Sequence, residues 1–426
     1  MCRDNMFSIM VIPCGILLLL LLGLPPLGIV LSGQSLPPLL TLLPILTQPG
    51  EASLNWAIFG MLAMLISGTL APVLWRYGKF QCRCTPHPSP QIRFPWWGWM
   101  ALGWTTFAWI LAWTRFSWFQ DWQPYTFPLL WFGYIGVING LLFSRIRRCM
   151  LVNQPKFLFK LFVLSAGFWW MFEYLNQFVH NWHYVGMTEV YTVTTVSWMT
   201  LSFSTVLPAV LGTYEYLSSF TQAKDPFETW HAIPTVDSPF IGWLLIILGG
   251  LGLLLIGIWP TMLFPLLWIA PLLIILGIKI IRREPTILTP LAKGNWSPVI
   301  LSSMAALLCG GFWEMWNAYS LVHWEYSIPY VHAFKLFEMP ILGYAGYLPF
   351  GLECVAVTEL FLGMLPRNLP APWSSQRIKP AAQLKHPYKN PAHLHHDYGD
   401  DRESGRDREG ISNESPTDRT MPNTPR

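Results

Sequence analysis

The chain has 426 residues, of which 53% are hydrophobic and only 12% charged, and its net charge is +4. Soluble domains carry roughly 25% charged residues, so a water-soluble globular protein is excluded. So small a net charge gives no reason to expect a nucleic-acid partner. Stretches such as 15–30 and 243–258 are apolar on every side instead of alternating, which selects membrane-spanning helices over a barrel.

In chain order, the apolar stretches predict an all-α polytopic membrane protein with about ten transmembrane helices. They lie near 7–31, 55–75, 96–116, 126–144, 158–179, 193–217, 239–259, 262–281, 298–320 and 338–363. The first has Arg3 near its start. It is long for a signal-peptide core and lacks a clear small-residue cleavage site, so it reads as a retained helix. Four regions follow: two N-terminal transmembrane helices with a basic loop (1–93), a first four-helix repeat (94–237), a second (238–365) and a disordered tail (366–426).

Basic residues gather in alternate loops: Arg76, Lys79, Arg83 and Arg93, then Arg145, Arg147, Arg148 and Lys156, then Arg282, Arg283 and Lys293. The tail opens with Arg367, Arg377 and Lys379, whereas the intervening loops hold only Arg115 and Lys335. Positive loops stay on the cytoplasmic side. The pattern therefore predicts a multi-pass protein of the cell (inner) membrane with both termini cytoplasmic. Many of the 24 tryptophans mark span ends as an aromatic belt. Trp169, Trp170, Trp313 and Trp316 lie deeper and need another explanation.

The two predicted repeats rest on an ordered set of matches. The run Phe127–Trp131 (FPLLW) recurs as Phe264–Trp268, each followed by an Arg pair, Arg147–Arg148 and Arg282–Arg283. Gly167–Phe168–Trp169 recurs as Gly311–Phe312–Trp313, and Val179–His180 as Val322–His323. Trp182 and Tyr184 match Trp324 and Tyr326, and Leu207–Pro208 matches Leu348–Pro349. A unit of four spans enters the membrane the same way twice, giving tandem parallel repeats. This alignment sets Glu173 against Asn317.

Ionisable groups inside a bilayer are costly and mark pathways, partners or sites. Glu173 and Asn176 share a helix face, as do Glu314 and Asn317. These four and Glu353 are the candidates for proton coupling or ligand binding, with an interhelical hydrogen bond as the plainer alternative for the first two acids. Pro349 and Gly351 precede Glu353 and suggest a broken helix, and Pro208, Gly212 and Glu215 form a looser counterpart. Glu338, before Pro340, is expected nearer the outer interface. His180, His183, His323 and His332 are metal candidates, but their spacing fits an aromatic, polar helix end better than any metal motif. Cys82, Cys84 and His87 are too few and too close for zinc. No phosphate loop, HExxH or GxSxG is present.

The first functional expectation is binding or transport of a small or lipophilic molecule between the repeats, with the lipid bilayer as partner. The alternatives are an intramembrane enzyme acting on an isoprenoid, carotenoid or other lipid, and a structural or assembly factor of a membrane complex. The residues name no cofactor, and the tail is too polar to bury a core.

Overall fold

A computed structural model describes residues 2–34, 44–46, 53–81, 93–187 and 192–363, with side chains from Cys14 onward except Gln81. The tail and the Cys82–Cys84–His87 group lie outside the described residues. Twelve helices carry the architecture. They are α1 (Cys2–Leu31), α2 (Trp56–Gln81), α3 (Trp96–Trp113), α4 (Thr126–Ile146), α5 (Pro155–Val179) and α6 (Val193–Phe203). They continue with α7 (Val206–Ser218), α8 (Thr221–Glu228), α9 (Pro239–Ile256), α10 (Leu266–Ile281), α11 (Ser297–Ala318) and α12 (Tyr347–Leu362).

Among the described residues, eight helical stretches are long and apolar enough to cross a membrane, the first Cys14–Leu31 and the last Ile341–Leu362. The expected third and eighth spans fall on helices outside that set. In α3, six of 18 residues are Trp, which lowers its mean hydropathy, and α10 has only 16 residues. Helix ends follow local chemistry. Pro155 and Pro239 open α5 and α9 at positions where a missing N–H is harmless. Ser238 caps α9 by accepting from the Ile241 N–H at 3.3 Å. Arg147 and His180 close α4 and α5 in the left-handed conformation.

Two sets of helices pack alike. In the first, α3 lies on α4 and α7 lies on both α4 and α5; in the second, α9 lies on α10 and α12 lies on both α10 and α11. The sets meet where α7 crosses α11 and α5 crosses α12. Aromatic side chains fill that seam. Trp131 packs on Trp313 with ring centroids 4.9 Å apart, and Trp268 packs on Phe172 at the same distance. Both tryptophans end an FPLLW run, and each reaches across to the other set. Such tilted and stacked pairs add to the area they bury.

A two-stranded ribbon also joins the sets: β1 (Trp182–Val185) runs antiparallel to β2 (His323–Tyr326). Trp182 faces Tyr326, His183 faces Glu325, and Tyr184 faces Trp324. Exchanging the strands leaves this register unchanged, with the His183–Glu325 pair at its centre. A second small ribbon pairs Lys335–Leu336 (β3) with Met339–Pro340 (β4). Glu338 sits in that turn with Lys335 at 3.8 Å, so the last span begins later than residue 338.

Close approaches need residues without side chains. A Cβ on Gly28 of α1 would lie 2.0 Å from the Leu254 carbonyl, and one on Gly257 would lie 2.1 Å from the Pro25 carbonyl. This mutual contact seats α1 on α9. Gly351 serves the contact of α12 with α11, since a Cβ there would lie 2.1 Å from the Ser302 carbonyl. Gly351→Ala is therefore expected to lower stability by about 1–3 kcal/mol, read from unfolding in mixed micelles. An unchanged midpoint would mean that the two helices separate freely.

Gly351 and Pro349 do not break the last span. Pro349 lies in the first turn of α12, where proline is tolerated, and the helix runs through Glu353 without interruption. The irregularity lies earlier, in the 3-10 turn Ile341–Gly346. The same step occurs between α6 and α7 at Ser204 and Thr205, just before Pro208.

Candidate functional site

The site is built on the ends of α5 and α11. Asn176 donates from Nδ2 to the Trp182 carbonyl at 2.7 Å and accepts the Asn181 N–H at 2.8 Å. Asn317 donates to the Trp324 carbonyl at 2.7 Å and accepts the Trp324 N–H at 2.8 Å. Each amide thus pins one ribbon strand to its helix, and both are buried.

One turn earlier on each helix sits the acid. Glu173 accepts from Trp169 Nε1 at 3.0 Å, Trp182 Nε1 at 3.2 Å and the Tyr184 hydroxyl at 2.7 Å. Glu314 accepts from the Tyr326 and Tyr347 hydroxyls, each at 2.8 Å. Trp324 Nε1 donates in turn to the Tyr326 hydroxyl at 2.8 Å. The bonding therefore matches Glu173 with Glu314 and Asn176 with Asn317. This correspondence differs by three residues from the one that sets Glu173 against Asn317, which follows the Gly–Phe–Trp identity rather than the contacts.

That register explains an exchange of partners. Trp169 lies one turn before Glu173, and the matching place before Glu314 is Gly310. A Cβ on Gly310 would lie 2.4 Å from the Tyr347 ring, so the glycine makes room for the tyrosine that supplies the missing donor. Val206 opens α7 where Tyr347 opens α12. Trp169 in one set and Tyr347 in the other thus donate to the acid from different places.

Beneath the ribbon lies a cavity of about 640 Å³ between the two sets, within the range of pockets that enclose small molecules. Trp169, Trp182, Tyr184, Trp324, Tyr326 and Tyr347 line it. These are the side chains that hold Glu173 and Glu314. The two carboxylates are fully buried behind this aromatic wall rather than within the lining. The deep tryptophans are thereby accounted for in part. Trp169 holds Glu173, Trp170 donates to Thr200 at 3.1 Å, and Trp313 and Trp316 pack on Trp131.

Glu353 stands apart. It is fully buried, neither carboxylate oxygen has a hydrogen-bond partner, and it lies one turn of α12 beyond Phe350, which lines the cavity. Glu215 is also buried with both oxygens unpartnered; neither acid is itself a lining residue, and Glu215 lies farther along its helix from the lining residue Val206. A buried polar group without partners destabilises its surroundings. Glu353→Leu is thus expected to raise stability by about 1–3 kcal/mol in a micellar unfolding titration, and a drop of that size would reveal a partner for the carboxyl.

Two of the four histidines, His183 and His323, meet at one carboxylate. His180 is exposed and ends α5, and His332 lies beyond the ribbon. His183 and His323 each approach Glu325 at 3.6 Å. Burial pushes the His183 pKa below the usual imidazole value; Glu325 opposes that shift and His323 adds to it. Among the described residues no group of three or more His, Cys, Asp or Glu is arranged to hold a metal ion.

Two features escaped the sequence reading. Lys279 of α10 and Glu359 of α12 form a buried ion pair. Their opposite charges inside two expected spans were the available signal. Tyr134, Thr213 and Cys309 form a second buried cluster across the seam, with the Tyr134 and Thr213 hydroxyls 2.8 Å apart and Cys309 Sγ 3.4 Å from Thr213. Nothing in their spacing marks these three residues as neighbours. Comparison with known protein families, curated proteins and solved structures finds no match.

Proposed function

We propose that this membrane protein binds, and moves, a small or lipophilic molecule in the cavity between two copies of a four-helix unit. The observation that carries this reading is the cavity itself, about 640 Å³ in volume and walled by aromatic side chains from both sets. The self-complementary ribbon and the crosswise Trp131–Trp313 and Trp268–Phe172 contacts support duplication. In this reading α3 and α10 complete ten spans, and the basic loops keep both termini cytoplasmic in the inner membrane. Glu173, Asn176, Glu314 and Asn317 shape the cavity wall by fixing its aromatic rings and the ribbon. Glu353 is the residue proposed to exchange a proton with the bound state.

Mass spectrometry of an organic extract of the purified full chain tests binding. A lipophile held in stoichiometric amount is expected, and Met199→Trp, which fills the cavity from its lining, is expected to reduce it at least tenfold. An extract matching bulk membrane lipid in both proteins would sink the proposal. An enzyme that protonates an isoprenoid or other lipid is the second reading, favoured by the unpartnered Glu353 carboxyl one turn from Phe350. Its mark is a chemically altered lipid in cells that loses its altered form with Glu353→Gln.

A further inference from the structure

We infer that the cavity is loaded from the hydrocarbon phase past α2, and that its ligand is a hydroxyl-bearing lipophile whose polar end meets Asn181 at the ribbon. This rests on the reading of the cavity as a binding site and adds the source and chemistry of what it binds.

The route follows from how α2 is held. Leu62, Leu65, Ile66 and Thr69 line the cavity, a spacing that puts them on one helical stripe. Thr69 turns its hydroxyl back to the Ile66 carbonyl at 2.8 Å, so the stripe asks for no polar partner. No residue of α2 from Trp56 to Phe80 is buried, and Met61 and Met64 are exposed. One helix thus separates the cavity from the lipid. That helix is fixed at its ends. Near its start, Asn55 N–H donates to the Tyr330 carbonyl at 3.2 Å and Phe59 packs on Phe334 at 5.8 Å. Near its end, Arg76 donates to the Pro226 and Thr229 carbonyls beside α8 and lies over Trp230. Its principal helix contacts are with α8 and the 3-10 turn before α12. A helix pinned at both ends and lightly packed between them bows outward at small cost, and the side it opens is the lipid side.

The head group follows from the lining. Of its tyrosine hydroxyls and indole N–H groups, those of Trp169, Trp182, Tyr184, Tyr326 and Tyr347 are engaged with Glu173 and Glu314. Asn181 Oδ1 and His323 Nδ1 are buried lining-residue atoms without a hydrogen-bond partner. Asn181 is only 2% exposed, and an amide oxygen is an acceptor alone. The group that satisfies it is a donor on an otherwise apolar body, which a hydroxyl supplies at lower desolvation cost than an ammonium.

The test is light-driven labelling of the full chain in phosphatidylcholine vesicles with a long-chain alcohol bearing a diazirine, and with its methyl ether. Leu62 packs against a cluster containing Val331, so Leu62→Cys with Val331→Cys is the pair chosen for a disulfide lock, its closure on oxidation and reopening on reduction verified by mass spectrometry of the bridged peptides. In the reduced protein the alcohol is expected to label cavity peptides around Trp198 and Phe203 at least tenfold more than the ether does. Asn181→Leu should remove that preference. Oxidation should slow cavity labelling at least tenfold and reduction restore it, with the lipid-facing side of α9 labelled equally throughout. Undiminished labelling in the locked protein overturns the route. Equal labelling by the ether, or by a short water-soluble alcohol, overturns the ligand class. Absence of cavity labelling in every state overturns the binding site itself.

Discussion

Replacing Lys279 with Met is expected to destabilise the folded protein by about 3–5 kcal/mol, read as an earlier midpoint in a micellar unfolding titration. The ammonium and the Glu359 carboxylate are each less than one-tenth exposed. Removing one leaves the other charged in a medium that solvates it poorly, and that penalty dominates the loss. The double replacement Lys279→Met with Glu359→Leu is therefore expected to recover most of the stability, because it removes both desolvated charges together. This contrast separates a buried pair from an ordinary surface contact, for which both variants change little. A double variant as unstable as the single one would mean that the pair orders α10 against α12 through its geometry.

Glu173→Leu is expected to cost about 2–4 kcal/mol, since three donors lose a charge-accepting partner. Trp169, Trp182 and Tyr184 converge on this carboxylate. The effect should reach the cavity: with these rings released, the proposed ligand is expected to be held at least tenfold more weakly. Glu314→Leu is expected to cost somewhat less, because two tyrosines rather than three donors are orphaned. Equal and small losses at both sites would show that the rings are held by packing alone. The opposite sign is expected at Glu353, where no donor is lost. These three acids are indistinguishable by composition and separable by a single titration.

The difference among them was only half legible in the sequence. Glu173, Glu314 and Glu353 stood out because each lies inside an apolar span, and the Glu–x–x–Asn spacing fixed both pairs to helix faces. What they bond to was not legible. The donors for Glu173 come from the same helix and from β1, and Tyr347 reaches Glu314 from the start of α12. Tyr347 supplies a donor to Glu314 where Trp169 supplies one to Glu173, and nothing in a linear comparison shows that. The two acids take donors from different positions along the chain, and a linear comparison follows identities. Proline and glycine before Glu353 misled differently, because helix initiation and close packing use the same residues as a helix break.

By itself the sequence determined that the chain enters a bilayer many times, since apolar stretches of that length have no stable state in water and must close their backbone hydrogen bonds as helices. It also determined where acids lie along those helices, because a helix has one period. Only the tertiary structure decided which carboxylates are satisfied and which stand alone, that Lys279 meets Glu359, and that aromatic rings from distant segments enclose a cavity behind α2. Those outcomes depend on which faces meet across a seam, and in lipid every face is apolar, so hydrophobic patterning carries little information about which side turns inward.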